Sequence, residues 1–128
     1  MRIVDSVGWL AYMAGGPLSD VYETYIVDPD NLITPSIVLY EVSKHALRTS
    51  GEEAATSAVS MIQKSRVIEL DAGLATLAAR CSLDHKLPLA DSIIYATARL
   101  HEATVVTSDS HFEGLPGVEY IPRESVAR

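Results

Sequence analysis

The sequence predicts an α/β domain: a mostly parallel central sheet of about five short strands flanked by helices, an α/β/α sandwich. Three observations carry this expectation. Short β-branched runs alternate with longer amphipathic segments, the pattern of β-α units wound onto a parallel sheet. Acidic residues recur just after those runs, as at Asp5 and Asp109. The crevice beyond the carboxyl ends of the strands is where open α/β sheets hold ligands. Finally, 128 residues at 48% hydrophobic and 21% charged content suit one domain, residues 1–128, with its own core. No internal repeat, low-complexity tract or linker interrupts it.

Ile3-Val4 is β-branched, ends at Asp5 and reads as a buried strand. Residues 6–13 read as a helix, with Ser6 or Asp5 as cap and Gly15-Gly16-Pro17 as stop. Residues 18–27 form a second helix, and Asp28-Pro29-Asp30-Asn31 a turn. Leu32-Ile33 is the second strand. Thr34 then caps a helix with Pro35 in its first turn, running to about Thr49. Residues 52–64 are helical and Val67-Ile68-Glu69-Leu70 is the third strand. Asp71 caps a helix over 72–83, and Leu87-Pro88 opens another that reaches about His101. Thr104-Val105-Val106-Thr107 and Val118-Glu119-Tyr120-Ile121 supply the fourth and fifth strands.

Composition excludes several classes. The net charge of -7, from 10 basic and 17 acidic residues, argues against nucleic-acid binding by a global positive field. An enzyme acting on nucleic acid would need bound cations and a local basic rim. No apolar run reaches about 18 residues, so no membrane span is expected. The small apolar stretch from Val7 to Gly15 follows Asp5 where a secretion signal needs a positive lead-in, so it is read as structure. Cys81 is the only cysteine and excludes an intrachain disulfide. That fits a reducing, cytoplasmic location.

The chemistry rests on four carboxylates. Asp5 and Asp109 follow strands. Glu41 shares a helical face with Ile37 and Val38, and Asp91 shares one with Ile94, Tyr95 and Ala98. An unpaired carboxylate on an apolar face is costly to bury. Each has a local reading by itself. Asp5 and Asp109 suit caps or turns, Glu41 suits a pair with Lys44 or His45, and Asp91 suits a helix first turn. A single acidic cluster accounts for all four together. Such a cluster needs a cation to stay ionised. Oxygen ligands favour Mg²⁺ or Mn²⁺ over Zn²⁺, as one ion or as two flanking a phosphodiester. The hydroxyls of Ser6 and Thr107 can orient a carboxylate or a water, or equally serve as local caps.

Read in order, Ile3-Val4-Asp5-Ser6 with Trp9-Leu10, then Thr34-Pro35-Ser36 leading to Glu41-Val42, begin a pattern. Leu87-Pro88-Leu89-Ala90-Asp91-Ser92 and Val105-Val106-Thr107-Ser108-Asp109 with Phe112 complete it. This pattern resembles the PIN domain, and within it the VapC-type toxins of type II toxin–antitoxin pairs. The resemblance implies a metal-dependent endoribonuclease that hydrolyses RNA phosphodiester bonds in single-stranded or loop regions. It implies Asp5, Glu41, Asp91 and Asp109 as the acidic, metal-holding site, with Ser6 and Thr107 in support. It also implies an antitoxin partner and a homodimer.

Lys44, Arg48, Lys86 and Arg99 are candidates for an RNA rim, and read as readily as solvated helix residues. His111 suits a cap or surface position better than a substrate contact. Trp9, Leu10, Tyr12, Met13, Tyr22 and Tyr25 serve either the core or an apolar groove for an antitoxin, whose Arg would reach the carboxylates. Two other classes stand beside this reading. One is a catalytically silent PIN-like module that binds RNA or protein. The other, a phosphoacceptor domain, is disfavoured because Asp5 has no acidic neighbour and no lysine follows Val105-Val106.

Overall fold

The computed structural model describes residues 1–123. Its elements are β1 (Arg2–Val4), α1 (Ser6–Ala14), α2 (Ser19–Ile26), β2 (Ile33–Pro35), α3 (Ser36–Thr49), α4 (Glu52–Ile62), β3 (Arg66–Ile68), α5 (Ala72–His85), α6 (Leu89–His101), β4 (Thr104–Thr107) and β5 (Val118–Tyr120). Short 3₁₀ turns occupy Pro29–Asn31 and Ser110–Phe112. The α/β class, with strands and helices alternating, matches the expectation.

All strand pairings among the described residues are parallel. β1, β4 and β5 form one ladder, β2 and β3 another, and a parallel bridge from Arg2 to Leu32 joins them. The strand order is therefore β3-β2-β1-β4-β5. The chain winds outward from β1 on one side to β3, then returns to β4 on the other. That reversal between β1 and β4 opens a crevice at their carboxyl ends, the usual ligand position in such sheets.

The two central strands explain the core. Ile3, Val4, Val105 and Val106 are all at most 1% exposed, as β-branched residues covered on both faces should be. α6 lies deepest, with residues 92–98 buried without interruption. Its Tyr95 hydroxyl donates to the Pro116 carbonyl at 2.7 Å, so the ring is buried without an orphaned donor. Trp9, Tyr22 and Phe112 complete the large buried side chains. Cys81 is buried, as expected of a small apolar residue.

Local chemistry fixed several ends as expected. Asp5 caps α1, and Asp71 caps α5 by accepting the Leu74 N–H at 2.8 Å. Thr34 is a correction. It lies in β2 and caps nothing; Ser65 Oγ donates to the Ile62 carbonyl, so the Thr34 hydroxyl donates to Ser65 Oγ at 2.7 Å. With Thr34 committed between strands, α3 begins one residue after Pro35. β3 also ends early, at Ile68, because its partner Pro35 is the last residue of β2.

Gly8 shows how tightly α1 is seated. A Cβ there would lie 2.5 Å from Tyr22 Cε1 and 2.6 Å from Val4 Cγ1. Gly8→Ala gains helix propensity of about 1 kcal/mol, but forces apart two core side chains. Overpacking of this kind costs typically ~1–3 kcal/mol. Urea unfolding of Gly8→Ala should show a lower midpoint at unchanged slope, a net loss on the order of 1 kcal/mol. A midpoint at or above the wild-type value would contradict this packing.

Candidate active site

Four elements bring acidic residues to the crevice. β1 delivers Asp5, which is 1% exposed and whose Oδ1 accepts the Gly8 N–H at 2.9 Å. The cap and the crevice are thus served by one carboxylate. β4 leads to Asp109, which caps its own 3₁₀ turn by accepting the His111 N–H at 2.9 Å. Asp91 sits in the first turn of α6. Glu41 lies in the second turn of α3 and accepts a 2.8 Å hydrogen bond from Ser6 Oγ, rather than pairing with Lys44 or His45.

Thr107 joins two of these. Its buried hydroxyl donates to Asp5 Oδ2 and accepts the Asp109 backbone N–H at 2.9 Å. A strand-end threonine therefore sets the spacing between both acids. Beneath it, Ser108 Oγ and the Tyr22 hydroxyl lie 2.7 Å apart, both fully buried. That contact was not legible from the sequence, because 86 residues separate the partners.

The electrostatics are those of a cluster of buried and mutually repelling carboxyls. Burial pushes the Asp5 carboxyl up to about 7; the hydrogen bonds from Thr107 and Gly8 pull the other way, and the charges of Asp109 and Glu41 push it further up. Asp91 is also raised to about 7. Burial is the largest cause there, followed by the neighbouring Asp109 charge and the hydrogen bond the two acids share. His111 opposes that rise. No lysine or arginine among the described residues forms an ion pair with any of the four acids.

His111 is exposed, as expected of a surface position, and it also reaches the acids: its Nδ1 stands 2.8 Å from Asp109 Oδ1 and 3.2 Å from Asp91 Oδ2. One donor atom each from Asp91, Asp109 and His111 lies within 4.8 Å of the others. The available signal was the Asp-x-His-Phe spacing, since a buried Phe112 pins the turn that swings His111 back over Asp109. The carboxylate donors, and their mutual repulsion without a lysine or arginine paired to them, fit a divalent cation.

The basic candidates fall in different places. Lys44 and Arg48 lie further along α3 from Glu41, with Lys44 5.6 Å from the Tyr40 ring centre and Arg48 3.5 Å from His45 Nδ1. Lys86 ends α5 in the left-handed conformation, just before α6 begins near Asp91. Arg99 stands over the Tyr95 ring in the last turn of α6, about 12 Å along the helix from Asp91. The apolar candidates on the first two helices divide too. Trp9 and Tyr22 belong to the core, whereas Leu10 and Met13 line an apolar groove of about 450 Å³ with α3 and α4 residues including Ala46 and Met61.

A family model described as the PIN domain matches residues 2–118. No curated protein sequence matches the chain. Among solved structures, a toxin–antitoxin complex from Klebsiella pneumoniae superposes with a TM-score of 0.79 at 22% identity, over 94% of this chain and 100% of that one. VapC20 of Mycobacterium tuberculosis, a Sarcin-Ricin loop cleaving toxin, is similar with a TM-score of 0.77 at 21% identity, over 95% and 100%. DNA-bound VapBC from Salmonella typhimurium gives 0.73 at 18% identity, over 94% and 98%.

A carboxyl whose folded pKa exceeds its unfolded value binds extra protons in the native state, so stability falls as pH rises through that interval. For Asp5 and Asp91 the interval runs from 3.8 to about 7. In a chelator, Asp5→Asn should therefore gain in Tm on the wild type as pH rises from about 5 to about 8, reaching an advantage of several degrees. A difference that does not change with pH would contradict the raised Asp5 carboxyl.

Proposed function

The chain belongs to the PIN domain family, and on that premise we propose that it is a metal-dependent endoribonuclease, the toxin of a toxin–antitoxin pair. The observation that carries the reading is the convergence of Asp5, Glu41, Asp91 and Asp109 with no lysine or arginine paired to them among the described residues. Asp5, Asp91 and Asp109, with Glu41 beside them, would hold Mg²⁺ or Mn²⁺, as one ion or two. When bound, the cation supplies positive charge that offsets the carboxylates, acidifies water and polarises a phosphodiester oxygen.

The chain's own residues set the geometry. Thr107 holds Asp5 in register with Asp109, and Ser6 holds Glu41 toward the same crevice. Water attacks phosphorus in line; one P–O bond forms and the bond to the leaving oxygen breaks. No Ser/His or Cys/His arrangement among the described residues calls for a covalent enzyme intermediate. Lys44 and Arg48 on α3 and Lys86 ahead of α6 are the rim candidates for the RNA backbone, and none of them forms an ion pair among the described residues. Arg99, held over Tyr95 at the far end of α6, is the weakest of the four.

An RNA with single-stranded or looped segments would present its backbone to the acidic crevice, and VapC20 is a Sarcin-Ricin loop cleaving toxin. Two of the similar structures described are of toxins with their antitoxins, which supports an antitoxin here. Its apolar segment would seat along the groove of Leu10, Met13 and Met61, with an Arg directed at the carboxylates. A homodimer and a cytoplasmic location complete the proposal. No helix among the described residues is long and apolar enough to cross a membrane.

The test is cleavage of a pool of structured RNAs by purified, antitoxin-free protein in Mg²⁺, Mn²⁺ or EDTA. Cleavage should require the metal. It should fall by roughly a hundredfold or more in Asp5→Asn and Asp91→Asn, since the cation's contribution is several kcal/mol. Folded protein that binds RNA but leaves it intact in every metal would favour the silent binding module instead.

A further inference from the structure

We propose that His111 is itself a ligand of the cation, through Nδ1, alongside Asp91 and Asp109. The inference rests on the proposed metal-dependent reading and adds a nitrogen donor to a site otherwise built of oxygens.

Distances carry it. Two ligands at right angles on a six-coordinate cation, each about 2.1 Å from it, stand about 3 Å apart, and two on opposite sides about 4.2 Å. His111 Nδ1 is 2.8 Å from one Asp109 oxygen and 3.2 Å from one Asp91 oxygen. All three donor atoms lie within 4.8 Å of one another. The three atoms thus have the spacing of neighbouring ligands around a single small cation.

The placement is also built. The His111 backbone N–H is tied to Asp109 Oδ1 at 2.9 Å, and Phe112 anchors the turn in the core. The imidazole is carried back over the carboxylates from a turn fixed at both ends. Its side chain is 56% exposed, so the ring lies on the solvent side of the carboxylates, whereas Asp5 is buried. With the proton on Nε2, the Nδ1 lone pair faces the space between the two carboxylates, as a metal-binding imidazole requires. A nitrogen donor shifts preference from Mg²⁺ toward Mn²⁺.

Electron spin-echo modulation of the Mn²⁺-loaded full-length protein tests this without any assay of RNA cleavage. One imidazole nitrogen should couple to the Mn²⁺ spin, and the coupling should shift when histidine is supplied as ¹⁵N. It should vanish in His111→Ala and persist in His45→Ala. The Mn²⁺ dissociation constant of His111→Ala should rise about tenfold, and that for Mg²⁺ by less. Bound Mn²⁺ without nitrogen coupling, or coupling that survives His111→Ala, would overturn the assignment while leaving the nuclease reading intact. A protein that binds no Mn²⁺ would overturn both. Nitrogen coupling in a protein that cuts no RNA would sink only the nuclease.

Discussion

One hydroxyl organises the crevice. Thr107 spans Asp5, at the end of β1, and the backbone of Asp109, just past the end of β4. These are the two strands between which the winding of the sheet reverses. The sheet alone brings two strand ends together to within a strand spacing. The threonine turns that proximity into a set geometry between two carboxylates. Asp91 and Glu41 then enter from helices that pack against the same strands.

The arrangement has a cost. Asp5 is fully buried, and its negative charge has hydrogen-bond donors around it but no cationic partner. Burying an unpaired carboxylate opposes folding. The compensation lies outside the site, in β1 and β4 covered on both faces and in the continuous burial along α6. A rigid, dry core thus holds charges in positions they would leave if the chain were looser. That is the physical meaning of preorganisation for a cation or for a phosphate's developing charge.

The overall charge of -7 sets a second constraint. A polyanionic substrate is repelled by the molecule as a whole, so attraction must be local. Four acids meet at the crevice, whereas Lys44 and Arg48 lie along one helix beyond it. On the proposed reading, a cation in the crevice and a few side chains beside it would do what a basic surface does in RNA-binding proteins.

Much was settled by the sequence alone. Hydrophobic runs of β-branched residues marked the strands, and proline, glycine and aspartate marked most helix starts, because these signals act within a few residues of the backbone they control. The four acids were legible as well: two followed strands and two interrupted apolar helical faces, where a lone charge is expensive. What only the tertiary structure decided were pairings across the chain. Thr107 meets Asp5 across 102 residues, and Ser6 meets Glu41 across 35. Thr34 turned from cap to strand once Ser65 was beside it. Trp9 and Tyr22 went to the core, Arg99 to the far end of α6, and His111 onto the carboxylates. Each depends on which elements pack together, and a hydrogen bond or ion contact forms only when both partners are carried to within about 3 Å. Local propensity brings no distant pair to that distance; the packed sheet and helices do.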